Sequence, residues 1–281
     1  MPEVKASIVI PTRARPEYLD VALGSVAPQA AAERAEVIVV SDGKDPDTAT
    51  VAARHGARLV VLKHSTGINT GRNAGAEAAR AELIVFIDDD IRAPAGWLGA
   101  LLAGADANPD RDAFGGPIRP VLEGGGPRAC GRESAPITNL VLGPRDADVG
   151  LVWGANMAIR RRALTAQGPF DETIAGCGDE EDWLHRYRAG GGKIRYLAAA
   201  GLDHRRTAAD ATVRALSRAA YHRGRAARRY DVHRGAAPAI VRELRTLAGC
   251  IWHTARRRCA IGIVLAAQSY GRVLEALMVT R

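Results

Sequence analysis

Three carboxylates in a row, Asp88-Asp89-Asp90, follow directly on an apolar run that ends at Phe86-Ile87. In an extended chain Asp88 and Asp90 point to the same side. Two carboxylates so placed repel each other unless a cation or a basic group compensates. Hard oxygens at this spacing suit Mg2+ or Mn2+, which take one or two carboxylates and leave room for substrate phosphates. A solvated acidic turn is the plain alternative. The apolar run before the cluster and Pro94 after it favour the cation. Another carboxylate, Asp42 in Ser41-Asp42-Gly43, closes the apolar run Val37–Val40. It could accept a hydrogen bond from a base N–H or a ribose hydroxyl, although Asp-Gly by itself reads as a turn.

Three further groups could join this chemistry. Gly67 to Gly75 contains Arg72 between Gly71 and Gly75 at an expected helix start, where helix N-termini and guanidinium forks both favour phosphate oxygens. Close helix–sheet packing would explain the same glycines. Gly178 precedes four acids, Asp179-Glu180-Glu181-Asp182, then Trp183 and Arg186. Acids in a first helical turn suit the macrodipole, and a carboxylate here could act as general base on a substrate hydroxyl. Asp203-His204 supplies an imidazole that matters only if the fold carries it to Asp90.

The elements that must hold these residues are legible as alternating strands and helices. Ser7–Ile10, Val37–Val40, Leu59–Leu62 and Leu83–Ile87 are continuously apolar, as strands buried on both faces of a parallel sheet are. Between them the spacing predicts helices from Pro16 to about Val26, from Asp45-Pro46 to Gly56, and over Arg72–Ala81. In such open sheets ligands bind beyond the carboxyl ends of the strands, where Asp42 and Asp88 to Asp90 fall. A helix over Trp97–Ala107, a strand over Ala113–Ile118, a long Gly/Pro-rich loop over Arg119–Pro144, order from Leu151 to Ile159, a helix from Asp179 to Gly190 and a strand over Lys193–Leu197 complete the expected domain. The motifs do not match a dinucleotide-binding GxGxxG or a P-loop.

The chain has 281 residues and a formal charge of +8. That charge is concentrated: residues from His204 onward hold 16 Arg and four acids, whereas the preceding body has a small excess of acids. Such asymmetry points to an anionic partner. The four cysteines have no CxxC spacing, which argues against a zinc site or disulfide framework and for a reducing compartment. No signal-peptide core is seen, and the longest apolar run, Ala260–Ala267, falls short of a membrane span. The expected location is therefore cytoplasmic, with peripheral contact at the inner face of a membrane as an option.

In order and spacing, Ile8-Val9-Ile10-Pro11-Thr12-Arg13, Val40-Ser41-Asp42-Gly43, Gly71-Arg72-Asn73-Ala74-Gly75 and Asp88-Asp89-Asp90 resemble family 2 glycosyltransferases of the GT-A fold. So do Gly154-Ala155-Asn156-Met157-Ala158-Ile159-Arg160, Gly168-Pro169-Phe170-Asp171, Gly178 through Arg186, and His204. The resemblance covers about residues 5–205. It implies an α/β, Rossmann-like, mostly parallel sheet flanked by helices over 1–205, with a basic helical extension over 206–281. It implies a nucleotide-sugar donor flanked by Pro11, Thr12 and Arg13, with Asp42 at the base (usually uracil), Arg72 near the base or phosphates, and Asp88 and Asp89 on the donor side. Asp90 would ligate the divalent ion, Mn2+ or Mg2+, with His204 and Asp88 completing the site. The general base falls at Glu180, with Asp179 beside it. The order Asp-Glu departs from the family's usual Glu-Asp and leaves Glu181 or Asp182 open. Ser41 also stands where an acid is common.

The chemistry this implies is metal-dependent, inverting transfer of a sugar, from a UDP-linked donor, to an acceptor hydroxyl. Two other readings compete. A nucleotidyltransferase would use the same metal and carboxylates, but Ile10-Pro11-Thr12-Arg13-Ala14-Arg15 lacks the glycines such enzymes carry after their first strand. Nucleic-acid binding would rest on the arginines at 214, 218, 223, 225, 228 and 229 with Tyr221 and Tyr230 among them, and no helix-turn-helix or zinc signature accompanies them. A phosphorylated lipid acceptor or an anionic membrane suits the same arginines and the apolar stretch Ala260–Val279.

Overall fold

A computed structural model describes residues 4–64, 67–127, 130 and 137–279. Residues 128–129 and 131–136, part of the expected long loop, lie outside the described residues, as do 280–281 at the end of the expected extension. The chain divides into two compact units. The first takes Met1–Arg119, Asn139–Thr173 and Asp179–His204, and the second Pro120–Thr138, Ile174–Gly178 and Arg205–Arg281.

The first unit opens with β1 (Ala6–Thr12), α1 (Pro16–Glu33), β2 (Glu36–Ser41), α2 (Pro46–Arg54), β3 (Arg58–Val61), α3 (Ile68–Ala78) and β4 (Leu83–Ile87). It continues with β5 (Ile91–Arg92), α4 (Trp97–Asp106), β6 (Ala113–Gly115), β7 (Ile118–Leu122, of which Pro120 onward belongs to the second unit), β8 (Ala147–Val149) and β9 (Asn156–Arg160). Then come α5 (Arg161–Gln167), α6 (Asp179–Ala189), β10 (Ile194–Tyr196) and β11 (Leu202–Arg206). Eight strands form one sheet in the order β3-β2-β1-β4-β9-β6-β10-β8, and β5-β11-β7 form a small second sheet.

The continuous apolar runs are explained by burial on both faces. Ile8, Ile10, Val37, Val39, Leu83 and Val85 pack with Leu19, Leu23, Leu98 and Leu101 on one face. Val9, Ile38, Val40, Ile84 and Phe86 pack with Met157, Phe170 and Trp183 on the other. The run at 59–62 differs: β3 is the sheet's edge strand, and Val61 is exposed. The first four strands are parallel, whereas β9 runs antiparallel to both β4 and β6.

Local chemistry explains several boundaries. Asp45 caps α2, its side chain accepting from the Asp47 N–H at 3.2 Å, with Pro46 in the first turn. Helix α1 extends beyond the expected stop near Val26, through Pro28, to a left-handed Arg34. Helix α3 starts at Ile68, four residues before the expected start, so Arg72 lies within it. Gly75 lets α3 lie on the sheet: a Cβ there would collide with Val9, which is the close-packing role open to these glycines.

The second unit is dominated by α7 (Val213–His233), α8 (Ile240–Arg257) and α9 (Ala260–Val279). Backbones approach closely at two glycines: a Cβ on Gly224 would strike the Gln268 carbonyl, and one on Gly271 the Tyr221 carbonyl. Among the described residues α9 is the one helix long and apolar enough to cross a membrane by length and composition, over Ala260–Met278. The apolar run that looked too short gains length because Gln268, Ser269 and Gly271 do not interrupt the helix. One side of α9 is buried in its own unit at Ile261, Val264, Val273 and Ala276. The cysteine expectation is corrected here. Cys130 and Cys259 form a disulfide with Cα atoms 5.6 Å apart, and His253 Nε2 lies 3.4 Å from Cys130 Sγ. A separation of 129 residues leaves no spacing signal to read.

Candidate active site

Strand register brings the acids together. β1 pairs with β4 so that Val9 faces Phe86, and with β2 so that Thr12 faces Ser41. Continuing those ladders past their ends sets Thr12 beside Asp89 and near Asp42. The Thr12 hydroxyl donates to Asp89 Oδ2 at 2.7 Å, and the Asp42 N–H donates to the Thr12 carbonyl at 2.9 Å. His204 arrives by a different route. β5 begins directly after Asp90, and β11 pairs antiparallel with it so that His204 faces Ile91.

The result is a compact donor set. His204 Nε2 lies 3.0 Å from Asp90 Oδ1 and 3.8 Å from Asp88 Oδ2. One ligand atom from each of Asp88, Asp90 and His204 falls within 4.8 Å of the others. Asp90 and His204 are buried, while the Asp88 side chain is 28% exposed. Two carboxylate oxygens and an imidazole nitrogen, closed on one side and open on the other, fit a hard or borderline divalent cation that keeps a position for substrate. Burial disfavours a charged His204, but the carboxylates of Asp90 and Asp88 outweigh it and push its pKa up to about 9.

Asp89 faces away from this set. Besides Thr12 it accepts from Arg15 Nη1 at 2.7 Å, and Arg15 Nη2 reaches Asp90 Oδ2 at 2.9 Å. Burial pushes Asp89 up to about 7, with repulsion from Asp90 adding to it against the pull of Arg15. Arg15 stacks on the Tyr18 ring, 4.2 Å from its centroid. Sequence reasoning missed Arg15 as a site residue. Its only signal was position, two residues after Arg13 at the carboxyl end of the first strand. Arg13 itself is exposed, and Pro11 and Asp42 are half-buried at the same sheet edge.

A second acidic group lies on α6. Asp179 accepts from Arg72 Nη1 at 2.5 Å, and Glu180 Oε2 is 3.7 Å from the same nitrogen. Asn69 positions that guanidinium, its Oδ1 accepting from Arg72 Nη1 at 3.1 Å while its Nδ2 donates to the carbonyls of Asp171 and Asp179. The Gly154 N–H donates to Glu180 Oε1 at 3.0 Å. A Cβ on Gly154 would collide with the Arg72 guanidinium, which is why this position is glycine.

The two neighbouring acids titrate apart. Burial raises both; Arg72 overcomes it at Asp179 and holds that carboxyl low, whereas burial and the Asp179 charge push Glu180 up to about 8. Although burial opposes its charge, Arg72 is held protonated by Asp179, Glu180 and Asp88, in that order, so one cation serves both acidic groups. Asp182 is engaged elsewhere, accepting from Arg186 Nε at 2.8 Å one turn on. Trp183 is fully buried, its indole donating to the Gly168 carbonyl at 2.9 Å, and it anchors α6.

Comparison with known proteins agrees with this architecture. The chain is 31% identical over 202 residues to the pre-mycofactocin glycosyltransferase of Mycobacterium tuberculosis, covering 68% of this chain and 41% of that one. It is 25% identical over 187 residues to the glucosyl-dolichyl phosphate glucuronosyltransferase of Haloferax volcanii, covering 62% and 60%. The chain thus spans less than two thirds of either relative. Among solved structures, GalNAc-T7 with UDP, GalNAc and Mn2+ matches 78% of this chain and 47% of its own at a TM-score of 0.59 and 14% identity. Staphylococcus aureus TarS matches 80% and 42% at 0.54 and 18%. Both likenesses are of fold, and the fold is that of the GT-A glycosyltransferases. The family model for glycosyl transferase family 2 matches residues 7–167, more than half of the chain, so this protein belongs to that family.

Proposed function

We propose that the chain transfers a sugar from a UDP-linked donor to an acceptor hydroxyl with inversion, and that the transfer depends on Mn2+ or Mg2+. The observation that carries this reading is the convergence of Asp88, Asp90 and His204 ligand atoms within 4.8 Å. A structural neighbour described with UDP and Mn2+ supports the choice of nucleotide and ion. Asp90, His204 and Asp88 would hold the cation, which when bound supplies positive charge to the diphosphate as the glycosidic bond breaks.

The chain's own residues do the rest. Asp42 accepts from the base, and Pro11, Thr12 and Arg13 border the nucleotide. Asp89, fixed by Thr12 and Arg15, sets the conformation of the turn that presents Asp88 and Asp90. Arg72 is shared between the acids of the donor side and those of α6, and steadies both. Glu180 removes the acceptor proton. Its Oε1 is held by the Gly154 N–H, so Oε2 takes the proton, and a carboxyl raised towards neutrality is a suitable base. One such base suits one in-line displacement, which inverts the anomeric centre. Asp179 keeps its charge on Arg72 and orients that guanidinium. The acceptor is a hydroxyl on a small molecule, a glycan or a lipid-linked carrier. Contact with an anionic membrane fits the basic C-terminal region, whereas the Cys130–Cys259 disulfide does not favour the reducing compartment expected from the cysteine spacing; nucleic acid is not the partner we propose.

The test is nucleotide release across a panel of nucleotide-sugars with and without EDTA. Release should follow UDP-linked donors and stop on chelation. Glu180→Gln should abolish transfer and spare UDP binding; full turnover in that variant would remove Glu180 from the role.

A further inference from the structure

Of the six arginines that the sequence groups on α7, three (Arg225, Arg228 and Arg229) are held in ion pairs within their own unit, while Arg214 and Arg218 are exposed. Arg225 and Arg229 pair with Glu275 at 2.6 and 3.2 Å. Arg228 reaches Glu243 at 3.5 Å, and Arg272 reaches Glu243 and Asp231 at 2.7 and 2.5 Å. These contacts use three of the four acids after His204 to tie α7, α8 and α9 together. Helix α9, the most apolar of the three, buries one side in the same unit.

Helix α8 is arranged the other way. Its inward face carries Glu243, buried, with Cys250 Sγ 3.6 Å from Ser269 Oγ on α9 and Thr254 against Gly262. Its outward face is apolar. Val241, Leu244, Ile251 and Trp252 are 54%, 48%, 56% and 68% exposed, and Ala248 is exposed between them. At 3.6 residues per turn these positions form a stripe about 100° wide. Arg245 and Arg256 border it on one side, with Arg242 beyond them, all exposed. These three arginines make no ion pair among the described residues.

We infer that α8 lies along the surface of an anionic lipid bilayer, with the Val241–Trp252 stripe in the acyl boundary and Arg242, Arg245 and Arg256 on the headgroup phosphates. An apolar stripe bordered by arginines and carrying an exposed tryptophan is the composition of an interfacial helix. Charge complementarity selects the occupant. The region after His204 carries a large positive excess, which favours anionic lipid over a second copy of the same basic surface. The apolar stripe favours lipid over nucleic acid, which would need polar groups along it. This sharpens the membrane contact proposed above and assigns it to an element distinct from the α7 arginines and the Ala260–Val279 stretch.

The test is sedimentation of the full chain with vesicles of phosphatidylcholine alone and of phosphatidylcholine mixed with phosphatidylglycerol, with no sugar donor present. Its outcome is therefore separate from that of the transferase assay. Binding should appear with the mixed vesicles, weaken as salt is raised, and shift Trp252 fluorescence to the blue. Ile251→Glu with Trp252→Glu should reduce partitioning by roughly tenfold or more while the melting temperature is retained. Arg245→Gln with Arg256→Gln should remove most of the preference for phosphatidylglycerol. No binding to mixed vesicles would overturn the proposal. So would binding that survives Ile251→Glu/Trp252→Glu, or a lipid-free dimer that those substitutions disperse.

Discussion

The two acidic groups of the first unit are built from the same material and end in different states. At Asp88-Asp89-Asp90, cations are distributed: Arg15 spans Asp89 and Asp90, His204 stands against Asp90, and Asp88 is left at the open side. At Asp179-Glu180, Arg72 is engaged closely with only one acid, and the other is pushed towards protonation. Environment, not residue type, decides which acid of each group keeps its charge and which, like Asp89 and Glu180, is pushed towards protonation. Consecutive acids in a sequence therefore announce a site, and the cations that arrive from distant elements decide what each acid does.

The sharpest way to break that contrast is to neutralise one acid in each group. Asp90→Asn and Glu180→Gln should each lower turnover by on the order of 10² to 10⁴, the range for loss of a general base or a charge-stabilising group. They should differ in binding: Glu180→Gln should retain UDP affinity measured by calorimetry, and Asp90→Asn should lose its metal-dependent part. Equal loss of UDP affinity in both would merge the two groups into one.

Removing the shared cation comes next. Arg72→Met leaves the buried Asp179 and Glu180 without their cation, which should destabilise the protein by about 3–5 kcal/mol, read from denaturant unfolding. Arg72→Lys restores a charge without the fork and should recover only part of this.

The contrast also predicts a pH dependence. In the proposed role Glu180 must be ionised to act as base, and its pKa is raised to about 8, so kcat/KM should climb as pH rises from the ordinary carboxylate range through about 8. Folding stability should move the other way across the same window, because the native state holds a proton on Glu180 that the unfolded chain has released. The smallest effect belongs to Asp182→Asn. Its carboxylate is engaged with Arg186 on one helix face, a pair typically contributing about 0.3–0.5 kcal/mol, so turnover should remain close to that of the unaltered protein.

The sequence carried much of this site because strand ends are local features. An apolar run closed by Asp42, another by Asp88 and a helix opened by Asp179 can be read without partners. What sequence hides is what arrives from elsewhere. Arg15 looks like any exposed arginine until β1 sets it over Asp89 and Asp90. Gly154 acquires its reason only when Arg72 is in place. Pro28 reads as a helix stop, yet α1 passes through it towards Arg34. The edge position of β3 depends on sheet order, and the outward apolar face of α8 depends on which of its residues α9 covers. Cys130 and Cys259 likewise meet only through tertiary structure.

The most direct test of the central claim is Mn2+ binding followed by electron paramagnetic resonance, in the presence of UDP, for the unaltered chain, Asp90→Asn and His204→Ala. A single saturable site, lost in Asp90→Asn and weakened in His204→Ala, is the predicted result. Mn2+ binding that is the same in all three proteins would contradict the account.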